Sequence, residues 1–199
     1  MTGRVRRWAA LTGSALTTLL LTGCIQVVSL HSDLVACEQG DDAEPSNGVI
    51  LMAQSVPTAS FVPCLEAMPV GWRFSDMEAR NDSAAFWLDA DRYGTHAIEV
   101  RLTESCDTTG ATEIPSDRQD MQRLELVTQV SPQYVGQRFY LFEGGCMSVL
   151  FRLSGRERSE ALALATQAIG AVPRANLQDL VREESGGRLE LDPAAEGGR

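Results

Sequence analysis

The sequence predicts an α+β domain: an antiparallel sheet of about six strands, arranged as two three-stranded meanders, with C-terminal helices packed on one face. Three observations lead there. Apolar and polar residues alternate with period two through 72–104 and again through 124–153. Turn-forming clusters separate these runs. After Gly155 the apolar spacing changes to that of a helix.

The elements follow in order. Residues 38–48 carry only turn and charge signals and read as an exposed loop, and Val49-Ile50-Leu51-Met52 is an apolar run of unassigned type. Pro63 to Met68 suggests one or two helical turns, with Pro63 at the start and Pro69 near the stop. Trp72 and Phe74 alternate with Arg73 and Ser75, opening the first meander. Phe86 and Leu88 alternate with Trp87 and Asp89, and Ile98, Val100 and Leu102 with Glu99, Arg101 and Thr103. Asn81-Asp82-Ser83 and Asp91 to Thr95 supply the turns. Cys106 to Asp120 reads as a polar loop. The second meander runs through Leu124–Val130, Arg138–Phe142 and Met147–Leu153, with Ser148 and Arg152 outward. Ser159 is placed to N-cap a helix carrying Leu162, Ala165 and Ile169, and a second helix begins near Asn176 and ends at Gly186-Gly187. This divides the chain into residues 1–23, an arm at 24–48, a single domain at 49–187 and a loose tail at 188–199. The run Met68-Pro69-Val70-Gly71-Trp72 resembles the entry into the sheet of Mog1/PsbP-like secreted lipoproteins, and a curved helix-grip sheet is the alternative.

The N-terminus carries an address. Arg4, Arg6 and Arg7 precede an apolar stretch, and Leu21-Thr22-Gly23-Cys24 closes it. That tetrapeptide resembles the lipobox of bacterial lipoprotein precursors. The resemblance covers residues 1–24 and implies a signal peptide at 1–23 and a diacylglyceryl group, with acyl chains such as palmitate, on the Cys24 thiol. The protein would then be held at the outer, extracytoplasmic face of the cell membrane, and two acyl chains suffice for stable attachment. The alternative is an uncleaved signal anchor spanning Trp8 to Leu30, with the same outward-facing domain. Cleavage before Cys24 would remove three arginines and no acid, taking the formal charge from −10 to −13. So acidic a body argues against a nucleic-acid partner and for standing off anionic headgroups. All 17 basic residues are arginine, a codon bias of GC-rich genomes.

Four further cysteines, Cys37, Cys64, Cys106 and Cys146, form an even set in an exported chain and read as two disulfides. Three pairings exist, and Cys37–Cys64 with Cys106–Cys146 is favoured because each joins segments expected to be neighbours. Their spacing lacks the short C-x-x-C pairs of zinc and redox sites, so no metal is expected.

Chemistry-bearing candidates are few. His96 follows Asp89 and Asp91, and an Asp–His pair can orient a serine, but no nucleophile motif accompanies it. Asp89-x-Asp91-x-Tyr93-Gly94 resembles the opening of a calcium loop, yet Tyr93 and Val100 stand where oxygen ligands belong. Acidic residues in the 104–120 loop suggest paired carboxylates, as in a glycoside hydrolase. Trp87 points away from the Phe86/Leu88 face and, with Asp89, Asp91 and His96, marks a candidate binding surface. The expectation is a binding or interaction protein of the cell envelope, without cofactor or catalysis, that meets the membrane through Cys24 and an envelope protein through its domain. A secreted hydrolase using the 104–120 loop or His96 is the alternative.

Overall fold

The computed structural model describes residues 35–37 and 46–193. Cys24 and the rest of the 1–24 address lie outside the described residues. The chain is an α+β domain in the order α1 (Asn47–Ser55), β1 (Phe61–Leu65), β2 (Trp72–Arg80), β3 (Ser83–Ala90), β4 (Gly94–Thr103), β5 (Thr112–Ile114), β6 (Gln122–Gln129), β7 (Tyr134–Phe142), β8 (Gly145–Leu153), α2 (Arg158–Ala168), β9 (Ile169–Pro173) and α3 (Arg174–Glu184).

Two meanders fuse into one antiparallel sheet, but it has seven strands, ordered β2-β3-β4-β8-β7-β6-β5. The additional strand, β5, comes from the stretch expected to be a polar loop. It is three residues long and pairs with β6 at the edge. A separate antiparallel ribbon joins β1 to β9. Here the sequence expectation fails twice. Pro63 to Met68 is not helical, because Phe61–Leu65 pairs with Ile169–Pro173, and the helical spacing read through Ile169 stops at Ala168. A proline is tolerated in β1 because a two-stranded ribbon is all edge.

Cross-strand register decides which residues share a face. Phe86, Val100, Val149 and Arg138 lie in one row, as do Ala84, Leu102, Met147 and Tyr140. This face joins Val49 and Met52 of α1, Val62 of β1, and Leu162 and Ala165 of α2 in one apolar core. The unassigned apolar run at 49–52 is therefore helical: α1 lies against β1, β2 and β3. α2 touches β8 and β9, and α3 touches β9. Beneath α2, Arg138 pairs with Glu125 at 2.7 Å and donates to the Thr166 hydroxyl at 3.2 Å. Glu157, in the left-handed region, precedes α2 without a side-chain cap, so Ser159 lies inside the helix rather than capping it. α3 begins at Arg174, two residues before the expected start.

Residues 188–193 are not loose. Leu191 is buried, the Asp192 N–H donates to Gln54, and Arg174 donates to the Asp192 carbonyl. The cysteines pair as favoured, Cys37 with Cys64 and Cys106 with Cys146.

Candidate functional site

The second face of the sheet carries Ala85, Trp87, Glu99, Arg101, Ser148, Leu150, Phe139 and Gln137, read from the same register. The segment after β4 crosses part of it. The Cys106–Cys146 bond ties that segment to β8, and Gly110 comes against the Leu126 side chain. Phe139, Cys146 and Ser148 are buried on this face, so Ser148 is not the outward residue that alternation suggests.

Toward the other end of the face lies a groove of about 310 Å³, lined by Trp87, Thr95, His96, Glu99, Val135, Gly136, Leu150, Phe151 and Arg152. The Trp87 indole N–H donates to Glu99 at 3.1 Å, and Glu99 accepts from Arg101 at 2.8 Å. The Trp87 and His96 rings lie 5.8 Å apart, inclined by 34°. The groove thus offers an aromatic wall, a carboxylate and the Arg152 guanidinium side by side, a surface suited to a partner of mixed polarity.

The four binding-surface candidates are brought together unevenly. Trp87 and His96 share the groove. Asp89 sits in the bulge between Leu88 and Ala90, with its carboxylate accepting the backbone N–H of His96 at 2.7 Å and Arg73 at 2.9 Å. Asp91 takes the other arm of Arg73 at 2.9 Å and faces the opposite side of the hairpin end. Burial alone would raise the Asp89 pKa, but the His96 N–H, the Ser75 hydroxyl and the Arg73 charge outweigh it and hold the carboxyl below its ordinary range.

A catalytic aspartate must grip the imidazole ring, and the histidine must face the serine hydroxyl. Here Asp89 lies between Ser75 and the histidine backbone, holding His96 at φ 47°. The aspartate is a latch on the turn.

Two of the 104–120 carboxylates are locally engaged, whereas Glu113 and Asp120 line an open hollow beside Ser116 and Arg123. Asp107 accepts from the Thr109 side chain and backbone N–H, which holds it below the usual carboxylate range, and Asp117 pairs with Arg123 at 3.2 Å. Among the described residues, no three His, Cys, Asp or Glu side chains gather as a metal site. Asp89 and Asp91 instead share Arg73.

A second hollow lies on the helix side of the same hairpin end, and sequence reasoning missed it. It holds about 580 Å³ between Pro69–Trp72, Asp91–Tyr93 and the first turns of α2. Its walls come from three segments distant in sequence, so no local pattern marks it.

Among the described residues no helix is long and apolar enough to cross a membrane. In comparisons with protein-family models, curated proteins and solved structures, nothing matches this chain.

Proposed function

We propose that this is a lipid-anchored, extracytoplasmic binding protein of the cell envelope that acts without catalysis and meets an envelope protein partner through the Trp87 groove. The observation that carries the reading is the half-covered sheet face. Trp87, His96, Glu99 and Arg152 line its open end, where an aromatic residue with polar neighbours is typical of a binding hot spot. The use of Asp89 as a latch on the His96 backbone weighs against the hydrolase. The lipobox at Leu21–Cys24 supports the anchor and the outer-face location.

Two experiments test the two halves. Mass spectrometry of the wild-type chain should find its N-terminus at Cys24 carrying acyl mass, and Cys24→Ala should abolish palmitate labelling. A wild-type chain that keeps residues 1–23 and takes up no palmitate would favour the uncleaved anchor. In-cell crosslinking of the anchored protein should capture a recurrent envelope protein, and Trp87→Ala should lose it at unchanged protein level. Undiminished capture by Trp87→Ala would remove the groove from the reading.

A further inference from the structure

The hollow on the helix side of the hairpin end is built differently from the Trp87 groove. Its floor is an aromatic pair, Trp72 and Tyr93, with ring centroids 6.0 Å apart and planes inclined by 30°. Trp72 is only 8% exposed, and it lines this hollow. Neither its indole N–H nor the Tyr93 hydroxyl bonds to a described residue, and neither atom is sealed from solvent, so both stay open to water or to a ligand. A tryptophan this buried usually finds an acceptor for its N–H. Two exposed apolar side chains, Val70 and Leu164, stand at the rim.

Three carboxylates line the same hollow: Asp91, Glu157 and Glu160. Asp91 shares Arg73 with Asp89, whereas Glu157 and Glu160 make no ion pair among the described residues. Arg92 is the one cation in the lining, and Arg158 is turned to the Pro132 carbonyl. Acids in the first turn of a helix are expected, since they complement its dipole. The dipole does not account for an aromatic pair in front of them whose donors are open and unused by the protein. Nor do the carboxylates gather tightly enough to hold a metal ion. The cation that suits them is larger and carries its own apolar stem.

We infer that this hollow binds an alkylammonium group, with the stem against Trp72, Tyr93 and Leu164, the charge toward Glu157 and Glu160, and a neighbouring acceptor atom on the Trp72 N–H. Aromatic faces and carboxylates both favour an organic cation over its neutral isostere. A free amine and a lysine side chain present the same chemistry. The inference does not rest on the Trp87 groove.

The test uses the full ¹⁵N-labelled chain in a maltoside detergent, reading the indole N–H signals of its tryptophans, with Trp72→Phe to assign the Trp72 signal. The probes are N-acetyl-lysine-N-methylamide, its norleucine counterpart and butylammonium. The lysine probe should shift the Trp72 signal with saturation, and the norleucine probe should bind about tenfold more weakly, the equivalent of about 1.4 kcal/mol. Glu157→Gln with Glu160→Gln should weaken the lysine probe about fivefold. Glu183→Gln with Glu184→Gln, the same charge change on α3, should leave it unaltered. Preference for the lysine probe over butylammonium, which has no acceptor, supports a lysine side chain using the Trp72 donor, whereas equal affinity supports a free amine held by the aromatic pair and the carboxylates and overturns the role of the Trp72 N–H. Equal binding of the norleucine probe, or a Trp72 signal unmoved at about 100 mM lysine probe, a concentration where even a weak ammonium contact registers, overturns the inference.

Discussion

Replacing Asp89 by alanine tests whether this carboxylate is a latch. The side chain is nearly buried and accepts from the His96 N–H, the Arg73 guanidinium and the Ser75 hydroxyl. Hydrogen bonds to a charged group contribute about 1.5–3 kcal/mol each when both partners are buried. Two discounts apply. The Arg73 side chain is 56% exposed, so its ion pair contributes about 0.5 kcal/mol. His96 is exposed, and water can take over part of its donor. The sum is about 2–3 kcal/mol for Asp89→Ala, and about 1 kcal/mol for Asp89→Asn, which keeps an acceptor for His96 but loses the charge. For a domain of this size the alanine variant should melt roughly 5–10 °C lower. The folded state lowers the Asp89 pKa, so its contribution is complete above the unfolded carboxylate value of about 3.9 and fades as pH falls through the lower folded value. The gap between wild type and Asp89→Asn should therefore narrow below about pH 4. Thermal melts followed by circular dichroism between neutral and acid pH measure both effects. An Asp89→Ala protein within about 0.5 kcal/mol of wild type, the range of ordinary surface substitutions, would refute the latch.

Other variants probe the frame. Replacing Cys106 and Cys146 by alanine opens a loop of 40 residues and should remove about 4 kcal/mol in chain-entropy terms, with faster amide exchange across 104–120. Arg138→Met should cost about 3–5 kcal/mol by stranding Glu125, while Arg138→Met with Glu125→Leu should recover most of it in urea melts. Gly136→Ala would place a methyl group 2.5 Å from the Leu126 carbonyl and the Phe151 ring, and should cost about 1–3 kcal/mol or more by overpacking.

The meanders were legible because each strand of 72–104 has one face in the apolar core, and period-two alternation records that burial directly. Legibility declined where both faces are covered. In β3, residues 84–86 and 88–90 are all buried, so the pattern there blurs. The β1–β9 ribbon was invisible for another reason. Its pairing joins positions about a hundred residues apart, and Pro63 locally suggests a helix start. Gly170 marks the ribbon only in three dimensions, where a Cβ would meet the Cys37 sulfur at 2.5 Å. β5 was hidden because an exposed three-residue edge strand has no apolar face to record. Of the candidate surface, Trp87 was legible as the aromatic on the polar side of its strand. The role of Asp89 was not, because a bulge and a backbone donor leave no mark in side-chain spacing.

The bond between Cys37 and Cys64 has a mechanical consequence. It closes residues 38–63 into a covalent ring, and α1 lies inside that ring. Tension applied to the chain ahead of residue 37 passes across the sulfur bridge to β1 and bypasses the ring altogether. α1, which lies against β2 and β3, therefore carries no load when the N-terminus is pulled. Reduction of that single bridge would place α1 directly in the path of the force, making it the first element to be stripped from the sheet.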